Sequence, residues 1–153
     1  MMSALLWLMV AGITLFVRAV GARPDIAFTL VDSPEKMEAA LARKGFLPVK
    51  SHPSQDVLFV NRDRGFFFFC PQDSWTCWHP VARTDASVAA CARWQSDPLV
   101  TCTDLPTQIR LSMDLAPAAA TYQFVANQVD DFDLYANLFH LQTDTLDLDP
   151  TWA

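Results

Sequence analysis

The sequence has 153 residues, of which 52% are hydrophobic and 18% charged, and its formal net charge is −6. A single domain of this size buries roughly two thirds of the surface that its unfolded chain exposes, so a hydrophobic core can form without metals. The apolar fraction excludes an intrinsically disordered chain, and the acidic balance argues against a nucleic-acid partner, which would need clustered Lys and Arg.

The chain begins with an uncharged apolar run of fourteen residues, from Ala4 to Val17. That run is short for a membrane span, which needs about 20 residues, and it is typical of a secretory signal peptide. Arg18 and Arg23 follow the run, so an uncleaved segment would hold this end in the cytoplasm. We predict that residues 1–22 are a signal peptide or a membrane anchor; a hydrophobic helix packed on the domain is the third alternative. The domain would span residues 23–141, and an acidic tail residues 142–153.

Three elements are predicted next in the chain. Apolar residues alternate from Ile26 to Leu30, which predicts a strand. Ser33 is followed by Pro and predicts the start of a helix, which ends at Gly45. Phe46–Lys50 predicts a strand at a sheet edge, since it contains a proline that cannot donate a hydrogen bond.

A hairpin is predicted between residues 57 and 70. Val57–Val60 and Phe66–Cys70 are separated by five residues that end in Gly65, a length and composition typical of a hairpin connection. Phe66 to Phe69 are apolar on both sides of any pleat, so this strand is predicted to be buried on both faces. Pro71–Pro80 is interpreted as a loop.

The remaining elements alternate between helix and strand. A helix is predicted from Thr84 or Asp85 to about Trp94, followed by strands at Leu99–Thr103 and Ile109–Leu115. From Pro117 onward, apolar residues follow a 4-3 spacing that predicts one long helix: Ala118, Tyr122, Val125, Val129, Phe132, Ala136 and Phe139. A break near Asp130 is left open. The order β-α-β-β-β-α-β-β-α predicts an α+β fold, a mostly antiparallel sheet with two or three helices packed on it.

Four cysteines fall within 33 residues: Cys70, Cys77, Cys91 and Cys102. Behind a hydrophobic leader, an even number predicts two disulfides and an oxidising compartment, and of the three possible pairings we predict Cys70–Cys77 and Cys91–Cys102. The alternative is four buried free thiols. A zinc site would recruit His52 or His79, but no CxxC or HxxxH spacing is present, so no metal is predicted.

Negative charge accumulates near the carboxyl terminus. Residues 111–153 hold seven Asp and no Lys or Arg, with Asp130, Asp131 and Asp133 closest together. One interpretation is a solvated helix face, and the other is an acidic surface that attracts a basic partner. A calcium site formed by Asp144 and the two Asp residues after it would lack the glycine and the distal Glu of an EF-hand loop.

Trp75 and Trp78 stand in the predicted loop and have two interpretations. They could anchor a partner, as tryptophans often do at interfaces, or they could pack as a lid over a disulfide.

No catalytic or cofactor-binding motif is found. Cys77 and His79 are close enough in sequence to suggest a thiol nucleophile with its base, but a disulfide would remove that thiol. Glu35 and Glu38 look like partners of the helix dipole rather than an acid–base pair. We therefore predict that the protein is not an enzyme and needs no cofactor.

Together these features predict a small extracytoplasmic binding protein that acts stoichiometrically on another protein with a basic surface, as an inhibitor or an immunity protein does. The alternative is an accessory subunit of a membrane complex, anchored by uncleaved residues 1–22.

Overall fold

The computed structural model describes residues 26–49 and 56–145. The predictions for residues 1–22, for His52 and for residues 146–153 lie outside these ranges. Within them, six strands form one antiparallel sheet in the order β1-β2-β3-β4-β6-β5, accompanied by three α-helices. The predicted α+β fold with an antiparallel sheet is therefore confirmed.

The strands are β1 (Leu47–Val49), β2 (Val57–Asn61), β3 (Phe66–Cys70), β4 (Thr76–Ala82), β5 (Thr101–Asp104) and β6 (Gln108–Asp114). The helices are α1 (Pro34–Arg43), α2 (Asp85–Arg93) and α3 (Tyr122–Thr143), with a short 3-10 helix at Trp94–Ser96. Among the helices of the described ranges, none is both long enough and apolar enough to cross a membrane.

The predicted strand at residues 26–30 is wrong. Ile26 is helical, and the segment makes only an isolated bridge between Leu30 and Thr121. Next to that bridge, the Tyr122 amide donates to the Thr29 carbonyl at 3.0 Å. Residues 26–30 are therefore held against the start of α3 instead of joining the sheet.

The predicted loop at Pro71–Pro80 is also wrong in its second half. Thr76 to Ala82 form β4, which pairs with β6 along its whole length. Proline usually argues against a central strand. Here the register of Phe69 with Trp78 places Phe67 opposite Pro80. The Phe67 carbonyl accepts a hydrogen bond from the His79 imidazole (Nδ1–O 2.8 Å) and so does not depend on the missing proline N–H.

Local signals placed the first two helices correctly. The Ser33 hydroxyl accepts from the Lys36 amide at 3.2 Å and caps α1. Gly45, with a φ of 86°, ends the turn that follows, in the left-handed conformation that glycine tolerates best. A Cβ at this position would lie 2.8 Å from Asn61 Nδ2. Helix α2 has Thr84 as its cap, one of the two residues predicted for this position.

The long helix differs from its prediction at both ends. It begins at Tyr122 rather than at Pro117, with Thr121 as its cap, and it continues unbroken past Asp130. Gln142 was predicted to start the acidic tail, yet the helix runs to Thr143 and Thr145 is still buried.

Two clusters of buried side chains lie on opposite faces of the sheet. The larger one gathers residues from all three helices and from one sheet face, including Phe68, Leu111 and Phe132. The smaller one consists of strand residues: Leu58, Phe67, Phe69 and Trp78. Because side chains alternate along a strand, β3 contributes to both clusters, and the prediction that it is buried on both faces is confirmed.

Both predicted disulfides are present. Cys70 and Cys77 lie side by side on β3 and β4, with their Cα atoms 4.3 Å apart, and Cys91 on α2 is bonded to Cys102 on β5. All four side chains are buried. Two disulfides indicate an oxidising, extracytoplasmic environment.

Candidate functional site

The three predicted partner-binding aspartates lie in the middle of α3, but two of them have partners within the chain. Asp130 is 3.0 Å from Lys44 Nζ and 2.9 Å from Arg64 Nη1. Asp133 Oδ2 is 3.5 Å from the same Arg64 nitrogen. Lys44 follows α1 and Arg64 lies in the turn between β2 and β3, so these ion pairs join three elements. Among the described residues, no ion pair involves Asp131.

The cationic partners of Asp130 lower the pKa of its carboxyl. Burial acts to raise the pKa of this carboxyl, but the hydrogen bonds and charges of Lys44 and Arg64 outweigh burial and hold the pKa below its usual value. The side chain remains 46% exposed, so each pair contributes no more than about 1 kcal/mol to stability. Two cations compensate Asp130 and Asp133, which leaves Asp131 as the carboxylate of this cluster most available to a partner.

The outward side of α3 carries exposed leucines that the sequence analysis missed. Leu134, Leu138 and Leu141 are spaced by four and three residues, so they share one face of the helix. Their exposed fractions are 56, 40 and 79%. Asp131 lies one turn before Leu134 on the same side. We call this set (Asp131, Leu134, Leu138, Leu141) the α3 face. In the sequence, this face is visible as a second set of apolar residues at 4-3 spacing, next to the set that faces the core.

Trp78 is a buried strand residue and not part of an exposed loop. Its ring stacks on Phe69 at 4.4 Å between centroids, and its indole N–H donates to Asp56 at 2.8 Å. The Arg110 guanidinium lies 3.7 Å above the ring, and burial lowers the pKa of Arg110. With 7% exposure, Trp78 is not a protruding anchor for a partner.

Trp75 precedes β4, inside the turn that the Cys70–Cys77 disulfide closes. It is half-buried against the larger core cluster, and its carbonyl accepts from the Leu115 amide at 2.9 Å. Of the two tryptophans, Trp75 is the more exposed.

A buried polar chain connects β3, β4 and the end of α3 by five contacts. These join the Phe139 carbonyl to Thr143 Oγ1 (2.7 Å), Thr143 to Thr145 Oγ1 (2.7 Å), Thr145 to His140 Nδ1 (2.9 Å), His140 Nε2 to His79 Nε2 (3.0 Å), and His79 Nδ1 to the Phe67 carbonyl (2.8 Å). Hydrogen bonding in all five requires five protons, whereas the four side chains carry four when neutral. Since the carbonyls at both ends only accept, the neutral side chains can satisfy four of the five contacts at once.

The residues considered in the sequence for catalysis or metal binding lie as follows. Cys77 is bonded to Cys70, so its sulfur is not a thiol nucleophile for His79. Glu35 and Glu38 are exposed on α1. Within the ranges that the structure describes, no three His, Cys, Asp or Glu side chains lie close enough together to hold a metal ion.

Comparison of the chain with protein-family models, with curated proteins and with solved structures finds no match.

Proposed function

We propose that the protein is a small extracytoplasmic binding protein that acts stoichiometrically on another protein with a basic surface, in the manner of an inhibitor or an immunity protein. The observation that carries the proposal is the α3 face, where three exposed leucines adjoin a carboxylate that makes no ion pair among the described residues. Exposed apolar side chains that adjoin one another often mark interaction sites, and a helix with such a stripe fits an apolar groove.

The acidic residues add a preference for a basic partner. Asp131 lies on the α3 face itself, and Asp144, at the end of the helix, is exposed. Charge of one sign around an apolar stripe accelerates association with the opposite charge and disfavours acidic partners. Asp130, Asp133, Trp75 and Trp78 contribute less in this proposal, because the first two are paired with Lys44 or Arg64 and the tryptophans are buried or half-buried.

Binding rather than catalysis is proposed because the thiol that would serve as nucleophile is in a disulfide. The disulfides also support a location outside the cytoplasm, where an inhibitor of a secreted or envelope-directed protein would act.

The first test is site-specific photocrosslinking in the cells that make the protein. A photoreactive residue replaces Leu138 on the α3 face, and in a matched variant it replaces Leu47, which is 62% exposed on β1. The proposal predicts one adduct of defined mass from position 138 and none of that mass from position 47. Equal labelling at both positions, or labelling at neither, would contradict it.

Once the partner is identified, affinity measurements separate the apolar contribution from the electrostatic one. Leu138→Ser should weaken binding by about tenfold or more, which is 1.4 kcal/mol. Asp131→Asn should weaken it less and should flatten its dependence on salt, because one screened charge pair is lost. Asp73→Asn, an exposed neutralisation in the turn before β4, should leave affinity unchanged. An unchanged salt dependence in Asp131→Asn would eliminate the acidic contribution.

A second candidate function is an accessory subunit of a membrane complex, held by uncleaved residues 1–22. Exposed apolar residues at the start of the described chain, with Phe28 75% exposed, favour this candidate. Co-purification of the full chain with a large detergent-extracted assembly would support it, and a monodisperse soluble form in the native cells would exclude it.

A further inference from the structure

Exposed apolar side chains gather where the described chain begins. Phe28 is 75% exposed, Leu30 48% and Ile26 37%. The Leu30–Thr121 bridge holds this segment beside the start of α3. We call this set (Ile26, Phe28, Leu30) the amino-terminal patch. Exposed apolar residues so close together are typical of a surface that contacts another phase or molecule.

A groove with basic residues opens beside the patch, between α1 and α3. Its volume is about 240 Å³, and Ala27 lines it together with Arg43, Lys44 and Tyr122. Lys44 is paired with Asp130 at 3.0 Å. Arg43 is exposed, and no carboxylate among the described residues pairs with it. A guanidinium in this position can receive an anion such as a phosphate.

The preceding sequence places the patch near a bilayer. The uncharged run ends at Val17, nine residues before Ile26, and the residues between include Arg18 and Arg23. Nine residues span at most about 30 Å, so while the run is inserted the patch stays near the membrane. The disulfides assign that side to the exterior, although Arg18 and Arg23 favour the opposite orientation. Phe and Leu side chains next to basic residues are typical of surfaces that lie in the membrane–water interface.

We propose that the amino-terminal patch and the basic groove dock the domain onto a bilayer that contains anionic phospholipid. Phe28 and Leu30 enter the interface, and Arg43 contacts a lipid phosphate there. The inference does not depend on a protein partner, because it concerns the opposite end of α3 from the leucines of the α3 face.

Charge orients the docked domain. Residues 111–153 contain seven Asp and no cation, so an anionic bilayer repels this part of the chain, above all Asp131 and Asp144. Helix α3 has 22 residues and is about 33 Å long. With its first turn at the lipid surface, the helix carries Leu138 and Leu141 away from the membrane, where they stay accessible.

The test is hydrogen exchange, read by mass spectrometry, on the full chain in three environments: nonionic detergent, nanodiscs of phosphatidylcholine, and nanodiscs that also contain phosphatidylglycerol. We expect the amides of residues 26–31 to exchange several-fold more slowly in the anionic nanodiscs than in the other two environments. The turn at residues 71–75 is the internal control and should exchange equally in all three. Equal exchange of residues 26–31 everywhere would overturn the proposal.

Three variants show which side chains dock. Phe28→Ser should shift the ratio of docked to undocked domain by about tenfold, since most of an aromatic side chain returns to water. Arg43→Gln should shift it by about fivefold in anionic nanodiscs, the effect of one basic side chain near an anionic surface. Leu141→Ser, an equally exposed apolar residue at the far end of α3, should have no effect. Protection that survives both Phe28→Ser and Arg43→Gln would refute docking through this surface.

Discussion

The two disulfides allow a quantitative test of how this fold is stabilised. They join residues seven and eleven positions apart. In the chain-entropy account, loops of these lengths stabilise the folded state by about 2.4 and about 2.8 kcal/mol, so the Cys91–Cys102 bridge should contribute slightly more. Both pairs are buried to 2% exposure or less, and replacement by alanine adds a cavity cost to either loss.

The combined effect approaches the stability of a typical domain. Loss of both bridges costs about 5 kcal/mol, whereas domains of this size are stable by about 5–15 kcal/mol. The reduced protein should therefore be marginally stable, which would restrict the folded form to an oxidising compartment.

Urea denaturation of the two double variants, Cys70→Ala with Cys77→Ala and Cys91→Ala with Cys102→Ala, measures each contribution. We expect each variant to lose at least its entropic share, and we expect reductant to cost the wild-type protein the sum of the two. Each variant, with one bridge left, should lose less on reduction than the wild type does. An unfolding curve of the wild type that reductant does not move, or four thiols that react with an alkylating agent in the native protein, would refute this reasoning.

Further substitutions test individual contacts. Gly45→Ala should lower the free energy of unfolding by about 1–2 kcal/mol because of its left-handed backbone, and by a further amount because the new Cβ displaces Asn61. Gly65→Ala, at a φ of 67° with open space around it, should lose the backbone contribution alone. Urea denaturation of both variants gives the difference, and equal losses would contradict the close approach to Asn61. Because the pKa of Asp130 is lower in the folded than in the unfolded chain, its pairs stabilise the fold above pH 3.8 and are lost as the pH falls through the folded value. Stability measured against pH should therefore fall less steeply in acid for Asp130→Asn, by no more than about 1 kcal/mol, and parallel curves would show that the pairs contribute nothing. His140→Leu should lower the unfolding free energy by about 1–3 kcal/mol because it leaves the buried His79 Nε2 without this partner, and a double-mutant cycle with Thr145→Val should be non-additive.

Interactions between residues that are close together in the chain could be predicted from the sequence. The caps of α1 and α2 depend on side chains three residues from the amides they accept from. The alternation of apolar and polar residues along β6 corresponds to one buried and one more exposed face of the strand. Both disulfides close short loops, so neighbouring cysteines were the natural pairs. In each case the physical cause is a hydrogen bond, a periodicity or a loop length that the local sequence contains.

The wrong predictions at Ile26–Leu30 and Pro71–Pro80 arose where a local pattern competed with a tertiary contact. The alternation at Ile26–Leu30 resembles a strand, but a strand needs a partner along its length. This segment forms only an isolated bridge, with Thr121 at the start of α3. The two prolines that bound Pro71–Pro80 suggested a loop, yet β4 pairs fully with β6, and the His79 side chain meets the carbonyl opposite Pro80.

The candidate surface was decided almost entirely by tertiary structure. Lys44 is 86 residues from Asp130 and His79 is 61 residues from His140, so no local signal predicts either pair. Charge counting identified the acidic cluster but not that two of its members are neutralised, and it left the leucines of the α3 face unnoticed. The sequence by itself determined most of the elements, the redox chemistry and the excess of negative charge. Which side chains remain for a partner depends on how the elements pack, because exposure and ion pairing are properties of residues brought together from distant parts of the chain.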